Sequence, residues 1–183
     1  MDLPLHPKIV HIPIALAVLM PLVTAGILVA WWRGWLHRRG WWLAVALQAI
    51  LVVGGFLAMR SGEGDEERVE QVVAESAIEA HEEAAEVFTW VAAGVLVLMI
   101  GAGALRRDPL ARGIAVAATA GTALVLWLGY KTGEAGGELV YKYGAGSAWA
   151  PGGLDLPTGK DRPLVNGAGQ PPVSRADEDS DSD

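Results

Sequence analysis

The sequence predicts an all-α membrane protein: four transmembrane helices in two repeated parallel hairpins, with the third helix extended outside the bilayer. Three observations carry this prediction. Of 183 residues, 52% are hydrophobic, more apolar surface than a small soluble globule can hide. Four apolar stretches reach the roughly 20 residues needed to cross a hydrocarbon core. Charge is also segregated, basic in two connections and acidic in the third. Lipid offers no water to satisfy backbone polar groups, so open β-structure is excluded and each stretch is helical.

The first span covers residues 9–32 and opens in "LHPKIVHIPIAL". Pro7 suits a first helical position, and Pro13 frees the Ile9 carbonyl and permits a bend. The segment lacks the basic start and small-residue cleavage pattern of a signal peptide. The loop "WWRGWLHRRGWW", with Arg33, Arg38 and Arg39, leads to a second span over 41–59. Trp31, Trp32, Trp35, Trp41 and Trp42 are expected as an aromatic belt at the bilayer boundary, with His37 on the surface among the arginines. Residues 61–86 then hold ten acids and one base, Arg68. Val69, Val72, Val73, Ala77, Ala80, Ala84 and Phe88 recur at helical spacing, and Asp65, Glu66 and Glu67 suit a helix start. They predict an amphipathic outer helix over about 65–84 that runs into the third span, 85–105. "LRRDPLAR", with Arg106, Arg107 and Arg112, precedes a fourth span over 111–130. Gly94, Gly101, Gly121 and Gly129 read as close-packing points between helices. Residues 149–183 are rich in Pro and Gly and end acidic, predicting a disordered tail after a domain spanning 1–148. By the positive-inside rule the arginine loops are cytoplasmic, and both termini and the acidic segment face outward.

Composition excludes several classes. With no cysteine, disulfides, iron–sulfur clusters and covalent c-type haem are ruled out. A net charge of −7 argues against nucleic acid as a partner. No hydrolase constellation or phosphate loop stands out, which leans against an enzyme and leaves the question open. No acid lies at mid-membrane, which disfavours a transporter or pump.

The ends of the second and fourth spans resemble each other. Arg60-Ser61-Gly62-Glu63 matches Lys131-Thr132-Gly133-Glu134, and His11 and His81 stand at similar distances before them. Two parallel hairpins related by an axis along the membrane normal would bring His11 and His81 to similar depth. Arg60, Lys131, Glu63 and Glu134 would surround them.

That constellation leaves alternatives open. His11 and His81 on facing helices suit bis-His ligation of haem b, with Arg60 and Lys131 holding anions such as propionates. A zinc, copper or iron ion on His6, His11, His81, Glu63 and Glu134 is the other ligand set. Hydrogen-bonded interfacial histidines and snorkelling bases need no cofactor at all.

The sequence resembles a family of small bacterial membrane proteins known as domain of unknown function 2231. The likeness rests on "LHPKIVHIPIAL", the "SGE…HEE" segment at 61–83 and "GGELVYKYGAG" at 136–146, and extends to about residue 148. It implies a four-helix membrane domain in the bacterial cytoplasmic (inner) membrane with no established activity. Some relatives lie near or are joined to c-type cytochrome domains, which implies redox company. Where many relatives end in Leu-Val-Tyr-x-His-Gly, this chain has Leu139-Val140-Tyr141-Lys142-Tyr143-Gly144, so no ligand role passes to Tyr143. The function expected is binding of haem b or a metal for electron transfer with a c-type cytochrome or other periplasmic redox protein. The alternative is a non-catalytic anchor or scaffold for an exported complex. Small-residue helix faces leave homo-oligomerisation open.

Overall fold

The computed structural model describes residues 6–149. One helical turn, α1 (His6–Ile9), precedes four long helices: α2 (His11–Trp32), α3 (Trp41–Val69), α4 (Glu75–Ala104) and α5 (Asp108–Tyr141). Short 3-10 turns occupy Arg38–Gly40 and Ala145–Trp149, and no strand occurs among the described residues. Among the described residues, four segments are long and apolar enough to cross a membrane, α1 and α2 together forming the first. In the most apolar stretch of α5 only 22% is buried inside the protein, so much of its apolar surface faces outward from the bundle. The tail from residue 150 lies outside the described residues.

Each long helix packs on two neighbours, in the cyclic order α2, α3, α4, α5. The inward face of α2 carries Pro13, Ala17, Met20, Thr24, Leu28 and Trp31, steps of three and four that keep one stripe inside. The same stepping selects Trp41, Gln48, Leu51, Gly55 and Ala58 on α3. It selects Phe88, Ala92, Val95, Met99 and Ala102 on α4, and Ala111, Ala115, Ala118, Thr122 and Val125 on α5. Small residues on α5 let α4 come close, and the α4–α5 face is the most extensive. A Cβ at Gly121 would lie 2.7 Å from Val95 Cγ2, and one at Gly129 would lie 3.1 Å from Phe88 Cε2. These two glycines are packing points as expected. Gly94 and Gly101 are not: open space meets a Cβ at either position, because both fall off the inward stripe.

At the arginine end, Trp31 and Trp41 are buried rather than interfacial. Their rings lie 6.4 Å apart, and Trp41 Nε1 donates to the Met99 carbonyl at 2.9 Å. Trp32, Trp35 and Trp42 are exposed, as a belt requires. Arg38 donates to the carbonyls of Gly103 (3.1 Å) and Leu105 (2.5 Å), closing the C-terminus of α4.

Two boundaries differ from the sequence-based expectation. The outer helix predicted over 65–84 is split, since α3 continues to Val69 and α4 starts only at Glu75. The bend between them buries Val73, which with Ile78 and Ala145 forms a second hydrophobic cluster flanked by Val69, Val72 and Leu139. The fourth helix continues past residue 130 to Tyr141. Its glycine-rich end stays helical with the help of the Lys131–Glu134 and Lys142–Glu138 pairs. Together α3, α4 and α5 rise into a cap at the histidine end.

Candidate functional site

The inward stripes run on into this cap and turn polar. Seven residues make two helical turns and return to nearly the same face. Seven before Pro13 is His6, and seven before Phe88 is His81. Seven after Gly55 is Gly62; seven after Val125 and Gly129 are Thr132 and Gly136. These residues meet. The His6 and His81 rings lie 6.2 Å apart between centroids, with planes at 86°. A Cβ at Gly62 would touch His6 at 3.5 Å, and one at Gly136 would press His81 Cε1 at 3.0 Å. Glycine at 136 therefore permits the close approach of α5 to the His81 ring.

The His6 imidazole is oriented by the backbone and a hydroxyl. His6 Nδ1 lies 2.9 Å from the Ala58 carbonyl and 3.2 Å from Ser61 Oγ. A carbonyl only accepts, so Nδ1 carries the proton. The His81 ring stands beside the Thr132 backbone, and its Nδ1 is buried without a partner among the described residues. Thr132 Oγ1 contacts the Ala84 and Leu128 carbonyls, both at 3.0 Å, tying α5 to α4 one turn from the ring.

The expected pairing of His11 with His81 is corrected to His6 with His81. His11 is exposed, because it stands two residues, about 200° of helix rotation, from Pro13 on the inward stripe. Arg60 and Lys131 are exposed too. Each precedes the inward hydroxyl, Ser61 or Thr132, and so points about 100° away. Lys131 is paired with Glu134 at 2.7 Å, and Glu63 is exposed. Among the described residues, no group of three or more His, Asp or Glu is placed to hold a metal ion. The ligand set of His6, His11, His81, Glu63 and Glu134 is thus not assembled. His37 accepts from the Arg39 amide at 3.2 Å as a surface turn residue.

Around the site the cap is acidic: Glu63, Glu66, Glu70 and Glu79 all act electrostatically on Glu82. Tyr143 packs on the second cluster and helps line a cavity of about 160 Å³ with Ala77, Ala80 and Glu138. Beside it, Lys142 is held above the usual lysine range by hydrogen bonding to Tyr143 and then to Glu138.

Sequence reasoning missed Gln48. It is fully buried mid-bundle, and its Nε2 donates to the Ala92 carbonyl at 3.0 Å. A lone amide within the apolar run "WWLAVALQAILVV" was the available signal.

The family model for a predicted membrane protein, DUF2231, matches residues 2–148. The chain belongs to the DUF2231 family. Its DUF2231 region includes both histidines of the pair and all four long helices. Neither a curated protein nor a solved structure matches the chain.

Proposed function

We propose that this DUF2231 protein is a metal-binding electron-transfer protein of the bacterial cytoplasmic membrane, with His6 and His81 holding the metal at the outer mouth of the bundle. The imidazole pair, from two separate hairpins and 6.2 Å apart, carries this proposal. A histidine that binds metal through one nitrogen characteristically donates its other N–H to a carbonyl, and Nδ1 of His6 does so to Ala58. An ion held by both rings through bonds of about 2.0–2.1 Å would need imidazoles about this close together.

Two protein donors suit few centres. Zinc asks for three or four. Haem iron needs only two, because the porphyrin supplies the rest. Copper(I) is content with low coordination, and imidazole is among its ligands. Packing of both rings against α3 and α5 through Gly62 and Gly136 favours the bare ion over a macrocycle. The ion supplies one-electron chemistry when bound. Ser61 and the Ala58 carbonyl orient His6, close packing at Gly136 positions His81, and the acidic cap raises the local concentration of cations and suits a basic redox partner such as a c-type cytochrome. Arg60 and Lys131 act as snorkelling anchors at the headgroups. Orientation follows from the arginine loops, which stay inside.

A second proposal, an anchor or scaffold for an exported complex, draws on the cap, whose own hydrophobic cluster of Val73, Ile78 and Ala145 gives it a fixed shape. Metal content and the visible spectrum of detergent-purified protein separate the two. One copper per chain, lost in His6→Ala and His81→Ala but kept in His11→Ala, supports the first. A Soret band with the same dependence would replace copper by haem b. Protein that takes up neither and stays folded after both substitutions supports the anchor.

A further inference from the structure

At mid-bundle, we infer that the structure holds a site for one buried water molecule, bound between Gln48 Oε1 and the hydroxyl pair Thr24–Thr122. The position follows from the register. Gly129 abuts both Ala17 and Phe88, and Gly55 abuts Thr89. One heptad nearer the arginine end, that layer becomes Thr122, Thr24, Val95 and Gln48. Thr24 Oγ1 and Thr122 Oγ1 are 3.4 Å apart, and both residues, like Gln48, are fully buried.

The chemistry is one-sided. Thr24 gives its hydroxyl proton to the Met20 carbonyl at 2.7 Å, and Thr122 gives its own to the Thr119 carbonyl at 2.6 Å. The bond from Gln48 Nε2 to the Ala92 carbonyl fixes the amide orientation, because a carbonyl cannot face the amide oxygen. Oε1 then points elsewhere and has no partner. Three helices therefore present oxygen lone pairs to one layer, in which both hydroxyl protons and one Gln48 N–H are already committed to carbonyls and only the second Gln48 N–H remains. A buried carbonyl in lipid is costly unless it accepts a hydrogen bond.

The ligand must bring donors. Water brings two, and buried waters typically satisfy such groups. A sodium or ammonium ion would bring charge that nothing cancels, since no acid is among the buried polar residues of the described chain. Bound there, the water ties α3 to α2 and α5, a polar link of the kind that fixes helix register in an otherwise apolar core.

Water-selective rotating-frame Overhauser NMR on the full chain in micelles tests this. Wild-type protein is expected to show water cross-peaks to the Gln48 side-chain amide and to the Thr24 and Thr122 methyls. Gln48→Met, similar in size but without an acceptor, is expected to abolish the methyl cross-peaks, and the buried Trp41 indole resonance reports whether the fold persists. Thr122→Val removes one lone-pair partner and is expected to weaken the Gln48 cross-peaks; it carries the test if Gln48→Met does not fold. Absence of cross-peaks in folded wild-type protein overturns the inference. So does their persistence in Gln48→Met, or their displacement by added sodium.

Discussion

Gly121→Ala and Gly94→Ala place the same methyl group on two packed helices with opposite expected outcomes. At Gly121 the new Cβ falls 2.7 Å from Val95 Cγ2, about 1 Å inside an ordinary carbon–carbon contact. Val95 is 5% exposed, and its β-branched side chain has essentially one rotamer in a helix. It cannot swing aside, so α4 and α5 must part. Overpacking of this kind costs about 1–3 kcal/mol, while alanine regains up to about 1 kcal/mol of helix propensity. At Gly94 nothing lies within 4 Å of the new Cβ, so only the propensity gain remains. The two variants are expected to differ by about 1–3 kcal/mol, with Gly94→Ala equal to or above wild type. Reversible unfolding in mixed micelles, followed by far-UV circular dichroism, measures this. Equal shifts, or a greater loss at Gly94, would refute the packing described for α4 and α5.

The remaining expectations concern both ends of the bundle. Arg38→Gln removes a charged cap from the Gly103 and Leu105 carbonyls and should lower stability by about 1.5–3 kcal/mol; an unchanged unfolding midpoint counts against the cap. Gly136→Val should disturb the His81 ring, only 3.0 Å from a Cβ there, visible as a shifted His81 imidazole resonance that Gly133→Val, with open space around it, does not produce. The absence of native cysteine makes topology directly measurable. Glu82→Cys should react with an impermeant maleimide in intact spheroplasts, and Arg39→Cys only after lysis; the reverse pattern inverts the orientation.

Helix number, order and the membrane class were legible because lipid imposes length and apolarity on every span, and α2 to α5 follow the four apolar runs. The histidine pair was half legible. His81 lies seven before Phe88 on a visible stripe, whereas His11 drew attention through its nearness to Pro13 and the basic–hydroxyl–Gly–Glu register. Extending the α2 stripe back from Pro13 leads to His6, but that step needs to know that Pro13 and Ala17 face inward, which an almost uniformly apolar segment hides. Glu63 and Glu134 looked like neighbours of the site because they share its level along the sequence, yet level fixes height and not direction. The turn at 70–74 was hidden for another reason. Val73 fits the helical spacing of its neighbours, and only the packing of Ile78 and Ala145 around it makes bending preferable.

Copper(I) titration of the metal-free protein in micelles, against a competing chelator of known affinity, tests the proposed His6–His81 centre most directly. Wild type and His11→Ala should bind one equivalent with the same affinity, and His6→Ala and His81→Ala should each lose at least tenfold, the lower end of the loss found when even a supporting group of a metal site is removed. Equal binding by all four proteins, or a loss confined to His11→Ala, would contradict it.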